Sequence, residues 1–303
     1  MAKKIRARST VTTLEEDAIW SVDASVAVPD DVRLVTTSES SSLAPFDDMK
    51  IVRPFIAEFF GTFLFVFFGT AAVTSGVIVG ALQGLWQVAS VWGFGLAVAI
   101  YCSSASGAHL NPAITLGMAV WNGFSWTDVP GYIISQFSGA FMAGMVNLTL
   151  YSSVIADYES AHSIVRGSAQ SIRSAMVFGE YYPNPAVFTD GNLVGLQVAL
   201  TVEIFGTAIL IFVILSLTDP KNKSVMNGFE PFMIGFTLAI LIAVLAPLNQ
   251  CGLNPARDFA PRVVAYFAGW GSVAMDGWWA YVVGPIVGAQ IGAMLNVALM
   301  REH

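Results

Sequence analysis

The chain has 303 residues, 55% of them hydrophobic and only 12% charged, with a mean hydropathy of +0.66. A soluble globular domain carries about 25% charged residues, so this composition excludes an ordinary soluble fold and reads as a membrane protein. The formal net charge of −7 owes much to Glu15, Glu16, Asp17, Asp23, Asp30 and Asp31, and no basic face points to nucleic acid.

Residues 1–50 are polar, lack helical periodicity and include Ser40, Ser41 and Ser42, so they read as a disordered tail. Nothing in this stretch reads as a signal peptide. Six apolar spans follow, near residues 51–79, 86–104, 129–154, 194–217, 232–248 and 278–300. Each approaches the roughly 20 residues that a helix needs to cross the hydrocarbon. Two further apolar stretches, 113–121 and 256–267, are too short to cross. At about 1.5 Å per residue each covers roughly half a bilayer, so both read as re-entrant half-helices buried in protein or lining a wet cavity. Lys and Arg gather before the first span, at Lys221 and Lys223, and at Arg301, which predicts that both termini are cytoplasmic.

An internal repeat organises these spans. Glu58-Phe59-Phe60-Gly61-Thr62 returns as Glu203-Ile204-Phe205-Gly206-Thr207, 145 residues later. Leu110-Asn111-Pro112-Ala113 returns as Leu253-Asn254-Pro255-Ala256 after 143 residues, and Gly139-Ala140 as Gly288-Ala289 after 149. The repeats cover about residues 51–155 and 194–301. Three spans per half force the second copy to enter from the opposite side, and inverted repeats of this kind place a site at the midplane where broken helices meet.

The repeated tripeptide has a physical meaning. Asn is a strong N-cap and Pro suits the first helical position. The Asn oxygen would accept a backbone N–H of its own half-helix, leaving the NH₂ group free to donate outward. Two such starts meeting at the membrane centre would aim two positive dipole ends at one point, which favours an oxygen lone pair and opposes a cation.

On these residues, and on the blocks Ser106-Gly107-Ala108-His109-Leu110-Asn111-Pro112-Ala113 and Asn254-Pro255-Ala256-Arg257-Asp258-Phe259, the chain resembles the aquaporin and aquaglyceroporin family, the major intrinsic proteins. The resemblance spans about residues 51–301. It implies an all-α integral membrane fold, with six transmembrane helices and two re-entrant half-helices around a pore, and a homotetramer in membrane lipid. It further implies a selectivity filter of Trp92, Ile242, Cys251 and Arg257. Pore-lining carbonyls would come from Gly107, Ala108, His109, Gln250, Cys251 and Gly252, with Glu58 and Glu203 supporting the two loops. Asp258 and Arg262 match the glycerol-conducting subgroup, as does Trp92-Gly93-Phe94-Gly95. Water-selective members more often carry Phe at the position of Trp92 and His at that of Ile242.

The reading is therefore a passive channel for glycerol, water and related uncharged solutes such as urea, with no enzyme activity and no metal or cofactor. Two alternatives stand beside it. One is a water-selective pore. The other is a coupled transporter, which would need titratable groups beyond Arg257 and the two repeated carboxylates. Cys102 and Cys251 lie in apolar runs without metal-ligand spacing, and the filter alignment makes Cys251 the expected target of mercurials. Gly284, Gly288 and Gly292 form a stripe suited to close helix packing. Asn147 matches a glycosylation acceptor but falls inside a span.

Overall fold

The computed structural model describes residues 50–188 and 193–300. The tail and Arg301 lie outside the described residues. Among the described residues nine helices follow in order: α1 (Arg53–Val77), α2 (Leu85–Cys102), α3 (Pro112–Trp121), α4 (Val129–Ala161), the single turn α5 (Ile172–Ala175), α6 (Leu196–Leu217), α7 (Glu230–Asn249), α8 (Pro255–Ala265) and α9 (Ala280–Met300). Short 3₁₀ and π turns link some of them, and no strand occurs among the described residues. Six of these are long and apolar enough to cross a membrane among the described residues: α1, α2, α4, α6, α7 and α9. The half-helices are α3 and α8.

The packing follows the repeat. In the first half α1 packs on α4 and α2, and in the second α6 packs on α9 and α7. Each half-helix lies on the last helix of the other half, α3 on α9 and α8 on α4, while α2 and α7 form the seam between the halves. Lipid offers no hydrophobic drive between helices, so close backbone approach and polar staples must hold them. Both are present and both are duplicated. Asn147 on α4 donates to Thr74 Oγ1 at 3.3 Å, and Asn296 on α9 donates to Ser216 Oγ at 2.8 Å. Asn147 is fully buried, in keeping with a packing role.

Glycines set the distances. A Cβ at Gly284, Gly288 or Gly292 would fall within 2.5 Å of α6, so the α9 stripe packs as its spacing predicts. At the seam Gly93 and Gly235 face one another. A Cβ on Gly93 would lie 2.4 Å from the Gly235 carbonyl oxygen, and the reverse distance is 2.2 Å.

One boundary differs from the sequence expectation. Hydropathy ends the third span near residue 154, but α4 runs to Ala161, 33 residues in all. At about 1.5 Å per residue it spans some 50 Å and overshoots a hydrocarbon core of about 30 Å. Its last turns are held by packing outside the apolar run. Ile155 is buried in a cluster with Met176, Phe178 and Trp270. Glu159 accepts from Arg166 Nε at 2.9 Å and from Ser174 Oγ at 2.7 Å, and the Arg166 guanidinium lies 3.8 Å from the Trp270 ring centre.

The seam supplies a test. Gly93→Leu or Gly235→Leu drives a side chain into a facing backbone, which has no rotamer with which to yield, so the cost should reach or exceed about 3 kcal/mol. The yield of monodisperse, detergent-solubilised protein and its melting temperature should both fall sharply. Gly195→Ala is the control, because a Cβ there meets nothing within 4 Å.

Candidate functional site

Each half-helix starts in the same way. Asn111 Oδ1 accepts the Ala113 N–H at 2.9 Å, and Pro112 fills the first helical position. Asn254 Oδ1 accepts the N–H groups of Ala256 at 3.0 Å and Arg257 at 3.2 Å, with Pro255 following. The two amides then cross. Asn111 Nδ2 donates to the Leu253 carbonyl at 2.9 Å, and Asn254 Nδ2 donates to the Leu110 carbonyl at 2.7 Å. The starts therefore meet tip to tip. An amide has two hydrogens to donate, so one from each Asn ties the loops together and the second remains for the cavity. This differs from the sequence expectation, in which the whole NH₂ group faced outward.

The loops before these starts are not helical, and their backbone is accounted for group by group. Glu58 accepts the N–H groups of His109 and Leu110, both at 2.8 Å, and is steadied by Ser106 Oγ at 2.7 Å and Gln136 Nε2 at 2.6 Å. Glu203 accepts those of Gly252 at 2.9 Å and Leu253 at 2.6 Å, with Asn249 Nδ2 at 2.8 Å. The Ala108 N–H goes to Ser106 Oγ and the Cys251 N–H to Asn249 Oδ1. In a trans peptide the C=O points opposite to the N–H that follows it. These six N–H groups therefore turn away the carbonyls of Gly107, Ala108, His109, Gln250, Cys251 and Gly252, the same six that the resemblance implies. None of the described hydrogen bonds ends on any of them. Positive φ at Gly107, Ala108, Leu110, Gln250, Cys251 and Leu253, between 50° and 79°, makes the arrangement possible.

Two cavities open on opposite sides of the Asn pair. One, of about 520 Å³, is lined by the loop residues Gly107 to Asn111 and Gly252 to Asn254, by apolar side chains such as Phe65 and Leu238, and by Asp219, Lys223 and Glu230 at its mouth. His109 packs its ring against Phe124 and Tyr132, at centroid distances of 4.6 and 5.1 Å.

The other, of about 350 Å³, is lined by Trp92, Ile242, Arg257, Gln250 and Glu180 among others. Here the guanidinium carbon of Arg257 lies 4.0 Å from the Trp92 ring centre. Such a contact is worth about 2 kcal/mol when desolvated. Arg257 also pairs with Glu180 through Nη1 and Oε1, both side chains being 4% exposed. The second Glu180 oxygen has no protein partner. Burial pushes the Glu180 carboxyl above the ordinary carboxylate range, and the Arg257 charge opposes that shift. Ile242 adds apolar surface to the lining. Cys251 is 1% exposed and lies behind the cavity surface rather than on it.

Asp258 and Arg262 do not line this cavity. They organise it. Asp258 accepts the Glu180 N–H at 2.8 Å and the Arg262 Nε–H at 2.9 Å, while Arg262 donates to the carbonyls of Ala274 and Glu180. Gln250 clamps the same loop. Its Oε1 accepts the Tyr181 N–H at 2.9 Å, and its Nε2 donates to the Met176 carbonyl at 3.3 Å. Glu180 and the Gln250 side chain were missed in the sequence. A charged residue next to Tyr181-Tyr182-Pro183 on a long connection was the signal for the first. Tyr132 and Tyr281 were missed as well, although they stand 149 residues apart. Tyr132 donates to the Ser106 carbonyl and Tyr281 to the Asn249 carbonyl, so each braces one loop.

Comparison with known proteins agrees with this geometry. The major intrinsic protein family matches residues 46–296. The chain is 41% identical to a glycerol uptake facilitator protein of Pseudomonas aeruginosa over 255 residues, covering 82% of this chain and 88% of that one. It is 40% identical to a propanediol uptake facilitator of Citrobacter freundii over 249 residues, 81% of this chain and 90% of the other. Its fold is similar to the X-ray structure of the aquaglyceroporin from Plasmodium falciparum, with a TM-score of 0.70 and 25% identity, covering 82% of this chain and 96% of that one. With an inverted pair of capped half-helices between two cavities, and a family match across most of its length, the chain belongs to the major intrinsic protein family.

Proposed function

We propose that the protein is a passive channel for glycerol, water and related small uncharged solutes such as urea, with Trp92, Ile242 and Arg257 lining its selectivity filter and Cys251 buried behind them. The observation that carries this reading is a cavity lined both by the apolar Trp92 and Ile242 and by the charged group of Arg257, which rests against the indole. A polyol entering a dry constriction must replace the hydrogen bonds it leaves in water, at roughly 2–7 kcal/mol for each hydroxyl left unmet. Arg257 offers a fork of donors, and the six outward carbonyls accept hydroxyl protons along the path. The carbon backbone lies on the indole and Ile242, where its apolar area is compensated at about 25 cal/mol per Å². Water needs only the polar side and passes as well. The names of the similar facilitators support glycerol over a water-selective pore, and so does the absence of His at position 242. In this reading four copies assemble in the bilayer, both termini face the cytoplasm, and the Glu180 mouth faces outward. Reconstituted protein should show glycerol uptake in stopped-flow swelling at least about tenfold above empty vesicles, within the range that filter contacts command. Swelling that reports water entry without glycerol entry would favour the water-selective reading.

Charge exclusion follows from the same geometry. A file of water would pass protons unless its chain were broken. The remaining amide hydrogens of Asn111 and Asn254 both donate to a molecule at the junction, which then cannot donate to either. The two half-helix starts each add about half a positive charge there, and Arg257 adds a full one in low dielectric. Proton and ion currents should be negligible at any solute flux. Arg257→Val with Trp92→Ala should widen the filter and admit a measurable leak, held down by the Asn pair. Flux measurements with a pH-sensitive dye in vesicles decide this, and proton conductance of the unmutated protein that scales with glycerol flux would refute the barrier.

A further inference from the structure

We infer that Gly69 on α1 is a positioning residue that sets the width of the filter by seating the Trp92 indole. A Cβ at Gly69 would lie 2.0, 2.1 and 2.2 Å from Cε3, Cζ3 and Cδ2 of Trp92. Gly288 and Gly292, which approach a neighbouring helix about as closely, abut backbone, and Gly131 takes the ring of Phe55, which does not line the cavity. Gly69 instead receives the ring of a cavity-lining residue.

The surroundings leave the ring one way to move. Its edge is held by Phe65, with centroids 5.1 Å apart and planes at 68°. Its helix cannot retreat from α1, because Gly93, the next residue, is already backbone to backbone with Gly235 on α7. Gly95 on α2 likewise abuts Phe68 on α1, so the two helices are in register on either side of the ring. The remaining direction is toward the cavity face, where the Arg257 guanidinium carbon already rests 4.0 Å from the ring centre, so a displaced ring pushes Arg257 with it. Non-bonded carbons rest about 3.5–4.0 Å apart, so one added methyl must push the ring more than about 1 Å into the path. A solute with a carbon skeleton needs the gap beside the indole. Water has no skeleton to place there and loses less. Gly69 thus determines specificity without touching the solute.

The inference rests on the reading that Trp92 lines the permeation path, and the test separates the two. Gly69→Ala should lower glycerol permeability at least about tenfold while water permeability falls less than about threefold. Trp92→Phe, with a smaller ring and an empty notch, should admit a four-carbon polyol such as erythritol. Gly69→Ala with Trp92→Phe fills that notch and should restore glycerol passage relative to Gly69→Ala while excluding erythritol again. A structure of Gly69→Ala should show the indole displaced toward Arg257. An undisplaced ring, unchanged glycerol permeability in folded Gly69→Ala, or a double variant as closed to glycerol as Gly69→Ala each overturns the inference. Should Gly69→Ala fail to fold, erythritol passing equally through Trp92→Phe and the double variant overturns it too. Unmutated protein that conducts no glycerol sinks the channel reading instead, and the displaced ring alone then decides the seat.

Discussion

Breaking a helix in the middle of a membrane leaves peptide groups that hydrocarbon cannot solvate, and the buried carboxylates of Glu58 and Glu203 are where this structure meets that constraint. An unmet amide in apolar surroundings costs roughly 2–7 kcal/mol, and each loop would carry several. Each carboxylate takes two consecutive N–H groups on separate oxygens. Both Glu side chains are fully buried, so their own desolvation is met by these bonds and by Gln136 and Ser106 in one half and Asn249 in the other. The same bonds orient the path. Once the N–H groups are bound on one side, planar trans peptides leave the carbonyls no other direction than the far side. The outward face of each loop is the complement of the scaffold's own hydrogen bonding.

The junction of the half-helices follows from this. Two positive helix ends brought together repel by their partial charges, and the crossed bonds from Asn111 to Leu253 and from Asn254 to Leu110 offset that repulsion. The carbonyls they use belong to the residues whose N–H groups Glu203 and Glu58 hold. Loop support, loop crossing and the outward carbonyls are thus one connected network, and removing either carboxylate would disturb the far loop as well as its own.

Much of this was legible in the residues, because a repeat converts weak signals into strong ones. A single Asn-Pro-Ala is an ordinary helix start. Two of them, each followed by a half-length apolar stretch, imply re-entry. Glu58 and Glu203 were readable for the same reason, as charges at matching positions of apolar helices. What escaped had no apolar contrast to mark it. Tyr132 and Tyr281, or Asn147 and Asn296, are repeated pairs of residue types that spans tolerate, and only their contacts show the braces and staples they make. Glu180 and Gln250 escaped because their roles are long-range, joining a connection of irregular backbone to the mouth of a cavity. Hydropathy likewise placed the end of α4 too early, since its last turns are held by an ion pair and a buried cluster rather than by lipid.

The scaffold is close to symmetric but the site is not, and the asymmetry lies at matching positions. The two half-helices start alike, yet three residues after Asn111 stands Ile114, and three after Asn254 stands Arg257. Thr115 and Asp258 occupy the next pair. Thr115 serves its own half, bonding the Asn111 carbonyl, Gln136 and His109. Asp258 reaches out of its half to hold the Glu180 N–H, and binds Arg262 one turn along its own half-helix. The long connection between the repeats has no counterpart in the other half, and it brings the carboxylate that pairs with Arg257. A duplicated three-span unit supplies the scaffold and the paired half-helix starts, which are alike in both halves. Choice among solutes requires walls of unlike character, and a symmetric pair cannot supply them. Walls of unlike character occur at the mouth where the second half-helix, the seam residue Trp92 and the unrepeated connection come together.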